Sequence, residues 1–253
     1  MSVEREYIAG LDIGKLVDFS AFALFERSRP MLAPSGPEVV NDLDELYGQQ
    51  TVAVLPKPDL LARRPMSGAL TAEERRARQW RYHLVRMERW DVGTDYDRIL
   101  SWLVKAYSRG ADRGGLGGTV LAVDYTGVGV PVVEWLRKEM SLAKSTRCTI
   151  RPIWIQSGKT VVENAAGGWN VPKSELVSIV QVLLGTKRLT IEQDMKNCGG
   201  LVDELLNFKV KQNAETGHES FEAWREKDHD DQVLACAIGL WCGEQKSRDF
   251  WVR

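Results

Sequence analysis

Four aspartates carry the chemistry this sequence could perform. Asp12 stands near the end of YIAGLDI (7–13), and Asp124 ends TVLAVD (119–124). Asp230 and Asp231 sit side by side in DHDDQVLACAIG. Each place puts a carboxylate where an apolar segment stops or starts. Carboxylates brought together repel, and at ~4 Å two unit charges cost roughly 1 kcal/mol in water and several times more inside a protein. A fold keeps such a cluster when a divalent cation neutralises it. Hard oxygen donors suit Mg2+ or Mn2+. Two such ions, about 3.5–4 Å apart, activate a water and stabilise the leaving oxygen of a phosphodiester. Any one of these aspartates alone has an ordinary reading as a cap or turn residue. The three places together point to a metal site.

The elements that must position them can be read from periodicity. Residues 7–13 form a buried strand and 20–26 (SAFALFE) a second, so the chain opens on a hairpin. Residues 82–90 (YHLVRMERW) read as a third strand. Residues 95–109 show helical spacing of Tyr96, Ile99, Leu100, Leu103, Val104 and Tyr107, with Thr94 as the expected N-cap. Strand 119–124 follows, and Gly127 and Gly129 shape its turn into helix 130–140. Next come strand 149–155, helix 173–184 after Pro172, a short strand near 187–191, helix 194–206 and a hairpin of 208–211 with 220–224. The last helix runs from about His229 to Gly243, with both aspartates in its first turn. Asp231, Ala235, Ile238 and Gly239 share one side of it, and the small residues let that side approach a sheet closely. Strand–helix alternation after an antiparallel start predicts an α/β fold, a central mixed sheet flanked by helices. Strand ends in such sheets converge on the edge where ligands bind.

Residues 28–78 differ in composition: most of the nine prolines fall there, with a strand-like run at 51–55 and a charged stretch at 71–78. They read as an insertion or extended loop within a single domain spanning 1–253. Its clusters Arg63-Arg64 and Arg75-Arg76-Arg78 suit phosphate contact or a solvated face.

The chain has 253 residues, 43% of them hydrophobic and 27% charged, as expected of a packed domain. Lys and Arg number 34 against 35 Asp and Glu, so there is no global basic signature. A local basic groove beside an acidic site remains compatible with nucleic acid. The four cysteines form no C-x-x-C pair and read as buried thiols in a reducing compartment. No signal peptide or membrane-spanning run is visible, which implies a cytoplasmic protein.

In order along the chain, GLDIGKLVDFSAFAL, YHLVRMERWDVGTDYDRIL, LAVDYTGVG, VPKSELVS and HDDQVLACAIG resemble the nuclease domain of phage large terminase subunits. That family has a ribonuclease H-like fold related to Holliday-junction resolvases. The resemblance covers about residues 7–27 and 80–243, and the HDD before an Ala-rich helix is its most specific element. It implies a metal-dependent DNA endonuclease with two Mg2+ or Mn2+ ions, acting on double-stranded DNA in phage genome packaging. A separate packaging ATPase or portal protein is the expected partner, and no membrane is involved. Asp12, Asp124 and Asp230 or Asp231 would be the metal ligands. Neighbouring helical residues lie about 100° apart, so both of the pair need not bind one ion. Asp18, Lys173 and His229 would be accessory: Asp18 as a second acid in the loop after Asp12, Lys173 near the substrate backbone, His229 beside the ligands or as a cap.

Packaging terminases carry an ATPase motor ahead of the nuclease, and this chain shows none. Its only Walker-like fragment, Ser157-Gly158-Lys159-Thr160, has Ile153 where a P-loop needs glycine and reads as a strand edge and turn. Three other functions fit parts of the sequence. A structure-selective, Holliday-junction resolvase-like nuclease would prefer four-way junctions. An actin-like or sugar-kinase-like ATPase would bind ATP without cutting DNA. A catalytically silent packaging scaffold would do neither, although its carboxylates are intact. Among the aromatic residues, Trp80, Trp90, Trp102, Trp135, Trp154 and Trp241 fall on apolar faces and read as core, while Trp169, after Gly167-Gly168, reads as exposed.

Overall fold

The computed structural model describes residues 3–14, 18–30, 79–108, 116–127, 129–142, 148–165, 167–192, 194–212, 219–223 and 230–249. The chain divides into two compact units. The first comprises Met1–Glu4 and Arg29–Gln79, and among its described residues the Arg29 guanidinium pairs with Glu4 at 2.7 Å. The second comprises Arg5–Ser28 and Trp80–Arg253 and carries everything that follows.

The opening strands are β1 (Val3–Asp12), β2 (Ser20–Pro30) and β3 (Arg81–Trp90). Helix α1 (Tyr96–Tyr107) leads to β4 (Val120–Asp124), α2 (Gly129–Leu142) and β5 (Thr149–Gln156). The short strands β6 (Val162–Glu163) and β7 (Trp169–Pro172) precede α3 (Lys173–Gly185) and β8 (Leu189–Ile191). Helix α4 (Cys198–Asn207), the hairpin β9 (Phe208–Gln212) and β10 (Glu219–Ala223), and α5 (Asp231–Asp249) complete the order.

Eight strands form one sheet in the order β6-β7-β5-β4-β1-β2-β3-β8. β1, β4, β5 and β7 run parallel, and β2 pairs antiparallel with β3. This is the mixed sheet that the sequence predicts, with antiparallel opening strands, then parallel strands, and helices on both faces. Period-2 alternation assigns the two faces. Leu11, Phe22, Leu24, Leu121 and Val123 pack with α1 and α2, while Ala21, Ala23, Phe25 and Ala122 pack with α3, α4 and α5. The second hairpin stands apart as a two-stranded sheet.

Most predicted elements appear within a few residues of their expected bounds, and four expectations need correction. Residues 28–30 continue β2 rather than opening the insertion; 31–78, with their basic clusters and strand-like run, lie outside the described residues. Thr94 does not cap α1: its hydroxyl donates to the Asp91 carbonyl, and Asp95 holds the N-cap position without a side-chain bond. Asp230 precedes α5 instead of lying in its first turn. Trp169 is half-buried in β7, with its ring edge-on to Trp241 at 5.9 Å. The other tryptophans read as core do join it, Trp80 and Trp241 fully and the rest in part. Among the described residues, no helix is long and apolar enough to cross a membrane.

Candidate metal centre

Asp12 and Asp124 are brought together by strand register. Leu11 of β1 pairs with Val123 of β4 in a parallel ladder, so the next residue on each strand is an aspartate. Neighbouring strands lie about 4.8 Å apart. Both aspartates share the alternation of Gly10 and Ala122, which puts both carboxylates on the face covered by α5. Asp12 is buried at 6% exposure, while Asp124 is partly open. Asp124 Oδ1 accepts the Thr126 amide at 2.8 Å, an Asx-type turn that fixes its side chain. The Thr126 hydroxyl in turn accepts the Ile155 amide at 2.9 Å and ties this turn to β5.

Helix α5 supplies the other pair through backbone-to-backbone packing. A Cβ at Gly10 would run into the Ala235 carbonyl, and one at Gly239 would meet the Gly10 nitrogen at 2.9 Å. A Cβ at Gly243 would meet Ile8 at 3.1 Å. Helix and strand are therefore antiparallel and in step: four helical residues and two strand residues each advance about 6 Å. Continuing that match from Gly243 beside Ile8 and Gly239 beside Gly10 brings Ala235 level with Asp12 and Asp231 just past it.

Electrostatics records the same convergence. Burial is the largest cause holding the Asp12 carboxyl well above its ordinary range; the charges of Asp124, Asp231 and Asp230 add to it, and Lys173 opposes them. Asp124 is raised by burial, against its bonds to Thr126 and the charge of Lys173. Asp231 is pushed up to about 7 by burial and then by Asp230, with Arg89 pulling down and Asp18 pushing up. Asp18 itself is exposed.

Cations already face two of these acids. The Lys173 ammonium donates to Asp230 Oδ2 at 2.6 Å. Arg89, at the end of β3, stands 3.9 Å from Asp231 Oδ2. Among the described residues, no three acidic, histidine or cysteine side chains are placed to hold one ion as they stand. His229 lies outside the described residues.

Sequence reading missed two residues here. Glu204 of α4 is buried, and its Oε2 accepts the amides of Gln232 and Val233 at 2.8 and 3.0 Å, capping α5 from another helix. Burial first, and Asp231 as well, raise its carboxyl to about 7 against those two amides and Arg89. Arg89 is the second, and nothing in the β3 pattern distinguishes it from the other arginines of that strand. The Walker-like residues 157–160 form a bend that leads to β6, not to a helix N-terminus, as a phosphate-binding loop requires. Cys198 and Cys236 are buried and free, Cys148 is free and half-buried, and Cys242 is buried.

No protein-family model matches the chain, and no curated protein sequence does. Among the solved structures similar to it are three terminase nuclease domains. The large terminase nuclease from thermophilic phage G20c is 19% identical, covering 93% of this chain and 81% of its own, with a TM-score of 0.47. The g2p (large terminase) nuclease domain from bacteriophage SPP1, with bound Mn, is 11% identical, covering 94% and 86%, at 0.46. The human cytomegalovirus terminase nuclease domain, Mn-soaked, is 8% identical, covering 93% and 81%, at 0.48. In fold this is an α/β chain built on a mixed eight-stranded sheet, and large terminase nuclease domains are among the structures similar to it.

Proposed function

We propose that this chain is a divalent-metal-dependent nuclease that hydrolyses DNA phosphodiesters, of the kind that cuts DNA during phage genome packaging. One observation supports the reading: Asp12 and Asp124 follow paired residues on neighbouring parallel strands, and the charges of Asp124, Asp231 and Asp230 bear on the buried Asp12 carboxyl. The donor chemistry fits a hard cation. The ligands are all oxygen, their mutual repulsion is relieved by positive charge, and burial would exclude competing water. Mg2+ or Mn2+ are the ions of choice, and Mn is the one found with the SPP1 and cytomegalovirus domains.

Asp12, Asp124 and Asp231 would hold the ions, with Asp230 beside them. Bound there, two divalent ions would lower the pKa of a water and stabilise the leaving oxygen. The chain's own groups do the rest. The Thr126 amide fixes Asp124. The Gly10–Gly239 contact fixes the height of α5 on the sheet. Lys173 holds Asp230 and supplies a positive charge at the rim, where a phosphate backbone would approach. Double-stranded DNA is the proposed substrate, with a packaging ATPase or portal protein as partner.

The test is incubation of purified protein with supercoiled plasmid and Mn2+ or Mg2+. Wild type is expected to nick and linearise the plasmid. Asp12→Ala, Asp124→Ala and Asp230→Ala/Asp231→Ala are expected to abolish cleavage. Cleavage that persists in all three variants would exclude this site. Four-way junctions in the same assay separate a branched-DNA preference from duplex cutting.

A further inference from the structure

Arg89 joins three elements at the rim of the candidate metal centre. It lies on β3, in register with Ala21 of β2. Its guanidinium stands 3.8 Å from Glu204 Oε1 on α4 and 3.9 Å from Asp231 Oδ2 on α5. The guanidinium carbon lies 3.8 Å from the centre of the Phe19 ring, which covers one face of the plane. The side chain is 26% exposed, and its buried Nε makes no hydrogen bond among the described residues. Both carboxylate distances exceed a hydrogen bond. Arg89 therefore acts here as a positive charge between two acids, held by stacking on Phe19.

The two acids have different work. Glu204 uses Oε2 to cap α5 through the Gln232 and Val233 amides, and its Oε1 faces Arg89. Asp231 opens that same helix and faces the sheet edge. Two buried carboxylates this near each other, with no cation between them, would repel. Glu204 would then leave the cap and compete for any cation at the site, and α5 would lose the support that places Asp231.

We propose that Arg89 is a positioning residue of the metal centre. It keeps Glu204 as the helix cap and fixes the direction in which Asp231 is presented to the ions. The role rests on the metal-dependent reading given above. It acts through Asp231 and Glu204, so its effect belongs to ion binding as well as to catalysis.

The test is calorimetric titration of the metal-free full chain with Mn2+, with folding of each variant checked by circular dichroism. Arg89→Gln is expected to weaken Mn2+ binding about 10- to 100-fold. Arg89→Lys, which keeps the charge without the planar fork, should fall between Arg89→Gln and wild type. Arg89→Gln/Glu204→Gln should bind Mn2+ more tightly than Arg89→Gln alone, because no uncompensated Glu204 charge remains. Arg27→Lys is the control: Arg27 is a buried arginine elsewhere, bonded to Glu6 and the Gly243 carbonyl, and its variant should lose stability while keeping Mn2+ affinity. Wild-type affinity in folded Arg89→Gln, or a double variant no better than the single, overturns the proposal. If Arg89→Gln does not fold, wild-type affinity in Arg89→Lys overturns it. A wild-type chain that binds no Mn2+ overturns the metal-centre reading itself, a result distinct from either.

Discussion

The Lys173 ammonium lies 2.6 Å from Asp230 Oδ2, joining the first residue of α3 to the residue that precedes α5. Its charge also reaches Asp12 and Asp124, where it opposes the effect of burial. Lys173→Met should lower unfolding free energy by about 1 kcal/mol, since the pair is partly exposed. Plasmid cleavage should fall further, roughly 100-fold, as expected for a charge acting where negative charge develops. Parallel denaturation and cleavage assays check this. Unchanged cleavage with lowered stability would make Lys173 a strut between helices and nothing more.

The contact of Gly10 with Ala235 and Gly239 sets the height of α5 on the sheet. Gly10→Ala adds a methyl group where the neighbour is backbone, so the helix itself must shift. Destabilisation of about 1–3 kcal/mol is expected in urea denaturation. Mn2+ affinity should fall with it, because the displaced helix carries Asp231. A folded Gly10→Ala chain with wild-type Mn2+ affinity would show that the site tolerates helix movement.

Metal-free stability should fall as pH rises. The folded-state carboxyls of Asp231 and Glu204 are raised to about 7, from ordinary values of 3.8 and 4.5. The folded chain thus binds these protons more tightly than the unfolded chain does. Their contribution is fully present below about pH 4 and is lost as pH climbs through about 7. Divalent ions need the deprotonated ligands. Mn2+ should therefore raise Tm more at pH 8 than at pH 5, as read by thermal melts with and without the ion. Equal stabilisation at both values would place the bound ion elsewhere.

Glu204 caps α5 from α4, so Glu204→Ala leaves the amides of Gln232 and Val233 buried without that acceptor and Arg89 beside one acid fewer. A loss of about 1–3 kcal/mol in unfolding free energy is expected. Glu204→Gln keeps an acceptor oxygen and should lose less. If the two variants are equally stable, the cap is not what Glu204 supplies.

What the sequence made legible follows from local periodicity. Alternating apolar residues mark β1, β2, β3 and β4, and the small residues of α5 announce its close approach to β1. Asp12 and Asp124 each end such a strand, so their placement at strand ends could be read from the apolar pattern, and the β1–β4 register makes those ends neighbours. Arg89 and Glu204 escaped because their partners lie far away in sequence: more than a hundred residues separate Arg89 from Glu204, and no local pattern marks a helix capped from another helix. Trp169 departs from the expected exposure because two preceding glycines suggest an open turn, whereas β7 is a four-residue strand too short to show alternation. Thr94 looked like a cap by type, yet its hydroxyl closes the preceding turn on Asp91 instead. Such competition between local acceptors is decided by geometry, not by composition.

In the proposed centre, acids from β1, β4 and the start of α5 share divalent ions. Crystals grown metal-free, soaked in Mn2+ and measured at the manganese absorption edge test it most directly. An anomalous peak is expected within coordination distance of Asp12, Asp124 and Asp231, at roughly 2.0–2.2 Å from their oxygens. Manganese bound only elsewhere on the chain, with these three carboxylates unliganded, would contradict it.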